Sequence, residues 1–146
     1  MAPARDARGA ATQTLRERRG RRGEEVAATH LEGLGWRILA RRLRVGRDEV
    51  DLLAVEPGKP PTLVLVEVRS RATSRFGAPE ESIDAGKVHR LYRAAAALRS
   101  SGRLPDGTAL PHLPWRVDLV AVDEIPSIGP GTGGRSVRHV RAIEPG

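Results

Sequence analysis

The chain contains no cysteine, which excludes disulfides and thiolate-held zinc. Aromatic residues make up only 3% of it, too few for base stacking to be the main way of holding a nucleic acid. No uninterrupted apolar run approaches the roughly eighteen residues of a membrane helix, and no apolar signal-peptide core stands near the start. A soluble, cytoplasmic protein with no membrane partner is therefore expected. Lysine is scarce as well. Among 25 Lys and Arg residues only Lys59 and Lys87 are lysines.

What the chain does have is arginine. Set against 18 Asp and Glu, the basic residues leave a formal charge of +7 and a pI near 11.2, which favours a polyanionic partner. Nucleic acid fits better than a membrane surface, because no segment joins a basic face to a bulky apolar one. A length of 146 residues suits one domain with a single modest core.

Residues 1–19, rich in Ala, Arg and Thr, read as a disordered basic leader. Asp6, Glu17 and the missing serines argue against a transit peptide. The stretch GRRGEEVAATHLEGL (20–34) has helical spacing and a stop at Gly35. Its Glu24 shares a face with Ala27, Ala28 and Leu31, which points it inward and Glu25 outward; the alternative left open by these residues alone is a first-turn acid that favours the helix dipole. Residues 36–45 read as a strand with Trp36, Ile38 and Ala40 on one face. Two more strands, 48–55 and 62–70, are joined by the turn-rich EPGKPP. A helix over 81–99 carries the stripe Lys87, Leu91, Ala94, Ala95, Leu98. A strand over 115–122 follows, then a Gly/Pro-rich linker and a short last strand in SVRHVRAI. The order α-β-β-β-α-β predicts an α/β domain over 20–122 with a mixed sheet flanked by helices, and a linker-and-strand tail over 123–146.

The two central strands carry costly charge. Strand alternation puts Glu49 and Asp51 on one face, and likewise Glu67 and Arg69. A hairpin centred on Lys59 sets Asp51 opposite Glu67 and Glu49 opposite Arg69, although a loop of this length does not itself fix the register. Adjacent carboxylates repel, and a shared proton or a cation resolves the conflict. Mg²⁺ binds through one or two carboxylates, with waters and phosphate oxygens completing its shell. In a nucleic-acid-seeking protein that combination points to metal-assisted phosphodiester cleavage. A plain salt-bridge ladder, Glu49 with Arg69 and the other two acids on a solvated face, is the alternative left open by spacing alone.

The segments GEEVAATHLEGLGWRILARRLR, EVDLLAV, LVLVEVRSR…FGAPEESIDAGKVHRL and WRVDLVAV, in that order over residues 20 to 122, resemble the YraN family. This family is largely uncharacterised, consists of predicted endonucleases, and is similar to archaeal Holliday-junction resolvases within the PD-(D/E)XK nuclease superfamily. The resemblance implies a restriction-endonuclease-like core, with Asp51 and Glu67 holding Mg²⁺ (or Mn²⁺), the Val68 backbone carbonyl as a further ligand, and Glu24 as the first-helix acid. It also implies DNA, branched in the resolvases, as partner, and a homodimer. The superfamily's lysine falls on Arg69, which carries charge but cannot act as a general base. Asp48 and Glu49 stand where Gly-Glu is usual. The four proposed catalytic residues are thus Glu24, Asp51, Glu67 and Arg69.

Around them, Glu49 is placed to orient Arg69, and Lys87 either reaches the site or snorkels at the edge of its stripe. Arg71, Arg75, Arg90 and Arg93 are candidate phosphate contacts. His30, His89, His112 and His139 show no ligand spacing and receive no role. The reading is a Mg²⁺-dependent DNA endonuclease. Its rivals are a catalytically silent nucleic-acid-binding module on the same fold, and an assembly protein whose basic face binds ribosomal RNA.

Overall fold

The structure is a computed structural model and describes residues 14–71, 83–125, 129–130 and 134–145. Helix α1 (Leu15–Gly33) precedes three strands, β1 (Arg37–Val45), β2 (Asp48–Glu56) and β3 (Thr62–Arg71); α2 (Ala85–Ser101), β4 (Trp115–Ile125) and β5 (Gly134–Val140) follow. The strands form one sheet in the order β1-β2-β3-β4-β5. β3 and β4 run parallel and every other neighbouring pair antiparallel. A parallel pair needs a long crossover, and α2 supplies it.

Alternation along the strands divides the core in two. Leu52, Ala54, Val64, Val66, Val120 and Val122 face Ala27, Ala28 and Leu31 of α1. Leu53, Val55, Leu63, Leu65, Val117 and Leu119 face Val88, Leu91, Ala94, Ala95 and Leu98 of α2. The mixed sheet with helices on both faces is the α/β architecture expected. The hairpin register is also the expected one: β2 and β3 pair from Glu56↔Thr62 to Leu52↔Val66, centred on Lys59.

Three expectations are corrected. α1 starts at Leu15, inside the stretch assigned to a disordered leader, because Thr14 and Glu17 form a reciprocal capping box that closes the first turn. Residues 1–13 lie outside the described residues. Ala40 does not share a face with Trp36 and Ile38, since a bulge between Ile38 and Ala40 turns it toward the α2 side. β4 runs on to Ile125, past the end expected at 122, and the short last strand expected in SVRHVRAI pairs with it over Gly134–Val140 as an edge of the sheet.

α1 lies tight against β3 at Gly23, where an added Cβ would stand 2.9 Å from Ser70 Cβ. Gly23→Val is expected to destabilise the fold by about 1–3 kcal/mol through overpacking, lowering the melting temperature by roughly 3–10 °C. Thermal melts followed by circular dichroism check this, and adding Ser70→Gly should return part of the loss.

Candidate active site

The β2–β3 ladder ends at Leu52↔Val66, and at its end a side chain replaces the main chain. Asp51 Oδ2 accepts the Val68 N–H at 2.8 Å. Glu67, on β3 beside Leu119 of β4, turns a side chain only 5% exposed toward the α2 layer. Lys87 Nζ, from the first turn of α2, stands 3.3 Å from Glu67 Oε2. Arg69 Nε stands 3.8 Å from Glu67 Oε1. Lys87 therefore reaches the carboxylates rather than snorkelling away.

Burial first, and then the neighbouring Glu67 carboxylate, push Asp51 up to about 7, against the opposing pull of the Val68 N–H and Lys87. Two carboxyls held together out of water disfavour a second charge. Glu67 Oε2 and Arg69 Nε are buried without a hydrogen-bond partner, and buried polar groups seldom stay unpaired without a purpose.

Glu24 lies close enough for Asp51 to raise its carboxyl, although desolvation is the larger cause. Its Oε2 accepts from Arg42 Nε at 2.7 Å. Arg42 holds a positive φ of 48°, a costly conformation for a long side chain. Arg42 was not legible in the sequence, where it is one of several arginines on the same strand. Among the described residues no three His, Cys, Asp or Glu side chains converge as a metal cluster. Asp51 and Glu67 form the pair, and Glu24 is held aside by Arg42.

The other proposed residues divide. Glu49 is half exposed and its nearest cation is Arg44, at 3.8 Å, not Arg69; beyond Leu52 the expected cross-strand partnership is not made. Arg71 is bound to Asp123 at 2.8 and 3.1 Å, and Arg93 to Asp48 at 2.8 and 2.7 Å. Both are engaged by buried carboxylates that a sequence reading could not place beside them. Arg90 is exposed. Arg75 lies outside the described residues.

On the opposite face of the sheet lies a network that sequence reasoning missed. Asp118, fully buried, receives Arg116 at 2.7 and 2.8 Å, His139 Nε2 at 2.8 Å and the Ala142 N–H at 2.9 Å. Arg116 also donates to Glu56, which accepts Arg141 as well. Trp36 packs against both guanidiniums and meets the His139 ring edge-on. His139, given no role from its spacing, is thus a structural partner of Asp118.

The fold and site define an α/β domain whose mixed sheet ends in a buried, incompletely satisfied carboxylate pair flanked by two cations. A model of the uncharacterised protein family UPF0102, the YraN-type group, matches residues 23–122. The chain belongs to that family. It is 36% identical over 125 residues to a UPF0102 protein of Arthrobacter sp. (strain FB24), covering 85% of this chain and 93% of the relative. A Symbiobacterium thermophilum UPF0102 protein is 39% identical over 122 residues, 83% and 90% of the two chains. A Thermus thermophilus UPF0102 protein is 46% identical over 87 residues, 60% and 75% of the two. No described helix is long and apolar enough to cross a membrane.

Proposed function

We propose that the chain is a metal-dependent DNA endonuclease, and that Asp51 and Glu67 hold a Mg²⁺ or Mn²⁺ ion with the Val68 carbonyl as a further ligand. The observation that carries the reading is the carboxylate pair itself, buried, with Asp51 pushed up to about 7 and Glu67 Oε2 lacking a hydrogen bond although the Lys87 ammonium stands 3.3 Å away. Two carboxylates with an unsatisfied oxygen fit a hard cation that takes the rest of its shell from water and phosphate. Bound there, the ion would supply Lewis-acid polarisation of a phosphodiester and a more acidic water.

The chain's own residues do the rest. Lys87 takes the place of the superfamily's lysine: it comes from a helix instead of the strand, and its ammonium at 3.3 Å from Glu67 is a compact donor for a phosphate oxygen. Arg69 adds fixed positive charge where the attacked phosphate becomes more negative. Glu24 joins as a third acid when Arg42 releases it. Branched DNA as substrate, and a homodimer that would cut both strands of a junction, belong to the same proposal. The silent binding module is the second reading. It is favoured by Arg69 at the lysine position and by the lack of a three-acid cluster among the described residues.

Linear, single-stranded, flapped and four-way-junction DNA incubated with Mg²⁺ or Mn²⁺, beside EDTA, tests the proposal. Metal-dependent cutting is expected, with Lys87→Met lowering the rate by about 10²-fold and leaving DNA affinity nearly unchanged. Binding without cutting by folded wild-type protein decides for the silent module. Wild-type rates in Lys87→Met remove that lysine from the chemistry.

A further inference from the structure

Among the described residues, none in the first two turns of α1, Leu15 to Arg22, is buried. Glu17, Arg18, Arg21 and Arg22 are exposed, Leu15 is 75% exposed, and a Cβ added at Gly20 would meet nothing within 4 Å. The first buried position of the helix is Gly23, against Ser70. Short helices without tertiary packing are marginal in water. This one is started by the Thr14–Glu17 capping box, so local hydrogen bonds stand in for burial.

The overhang begins on the α1 face of the sheet, at the end of β3 that lies about 10 Å along the strand from Glu67. Ser70 is three residues past Glu67 on β3, and Glu24, the residue after Gly23, is the acid that Asp51 influences. Over Leu15–Arg22 the sequence has five arginines against one glutamate, and that glutamate is occupied in the cap. Arg18, Arg21 and Arg22 stand at i, i+3 and i+4, on one face of the helix, and none of them has an ion-pair partner among the described residues. A segment with one leucine and five arginines offers too little apolar surface for a membrane. Its charge is complementary to phosphate, which arginine binds in a forked, two-point manner.

We propose that Leu15–Arg22 is a basic arm that lies along the phosphate backbone of the DNA flanking the Asp51–Glu67 pair, with Arg18, Arg21 and Arg22 as phosphate contacts. The proposal rests on the DNA-acting reading above. At about 1.5 Å per residue the arm is about 12 Å long. One strand of a duplex presents a phosphate about every 3.4 Å of the axis, so about three or four lie alongside, enough for the three arginines. The arm is placed to set affinity and register and to leave the chemistry to the sheet.

The test is DNA binding by the full chain, read by fluorescence anisotropy on a linear duplex and a four-way junction in EDTA, from about 50 to about 200 mM KCl. For Arg18→Ala/Arg21→Ala/Arg22→Ala, affinity should fall about tenfold or more, and the slope of log K against log salt should flatten by about 2.7. The corresponding triple Lys variant should retain most of the slope. An unchanged slope in the Ala variant overturns the arm, as does a change of oligomeric state by light scattering, which would make the segment a protein interface. Tighter arm-dependent binding to RNA than to DNA also overturns it. Because binding is read without metal, wild type that binds through the arm yet never cuts removes the nuclease reading alone. Wild type that cuts while the Ala variant keeps its slope removes the arm alone.

Discussion

Asp51→Asn is expected to abolish cleavage and, in the same molecule, to raise the stability of the metal-free protein at neutral pH. The Asp51 carboxyl sits at about 7 in the fold against 3.8 ordinarily. Between those values the native state keeps a proton that the unfolded chain releases, so stability falls as pH rises from about 4 to about 7 and stays low above that. With 1.36 kcal/mol per unit, and the proton shared with Glu67, the penalty at pH 8 is about 2–4 kcal/mol. Asparagine carries no charge, and its carbonyl can still accept the Val68 N–H. Thermal melts in EDTA should therefore show variant and wild type nearly equal at about pH 4.5, and the variant ahead by several degrees at about pH 8. Excess Mg²⁺ should stabilise wild type, by about 2.7 kcal/mol at a hundredfold excess over Kd, and leave the variant unmoved. Equal loss of stability at both pH values would mean that Asp51 is only an anchor for β3.

The hairpin was legible because two apolar runs, residues 52–55 and 63–66, flank a connection rich in Pro and Gly; that connection leaves the register open, and the ladder adopts the one centred on Lys59. That register carried Asp51 to the end of the ladder and Glu67 beside it. It did not carry Glu49 to Arg69, because pairing stops at Leu52↔Val66 and Asp51 takes the next main-chain donor for itself. Periodicity says nothing of where a ladder frays. The same limit hid the bulge at Leu39, which moved Ala40 across the sheet.

Long side chains were the least legible. Lys87 stood out only because lysine is rare here, and its reach to Glu67 depends on how α2 crosses β3. Arg71, Arg93 and Arg42 are indistinguishable in sequence from solvated arginines. Each is fixed by a carboxylate 18 to 52 residues away in the chain. Thr14 and Glu17, by contrast, form a local capping signal that was present in the sequence but was outweighed by the composition of the leader.

Asp118 carries the other large prediction, because the same sheet treats it in the opposite way to Asp51. It lies beside Val66, next to the level of Glu67, but on the α1 face. Burial works to raise its carboxyl; His139, Arg116 and the Ala142 N–H outweigh burial and hold it at about 2. A carboxyl lowered from 3.8 to about 2 stabilises the fold above pH 4, and that contribution, about 2 kcal/mol, is lost as pH falls toward 2. Asp118→Ala removes the partner of a partly buried guanidinium and of a main-chain N–H together, and should cost about 2–4 kcal/mol, or roughly 10 °C in melting temperature. Asp118→Asn keeps the shape and loses the charge. Its deficit in denaturant melts should be plain at pH 7 and nearly gone at about pH 2.5. A deficit equal at both pH values would assign the network's worth to hydrogen bonds alone. Where both proteins are folded, Asp118→Asn should cut DNA at the wild-type rate, because its partners all lie across the sheet from Glu67. Two buried aspartates on the strands either side of β3 are thus driven to opposite ends of their range by their partners: a complete set that braces β4 and β5, and an incomplete set that leaves Glu67 Oε2 without a hydrogen bond.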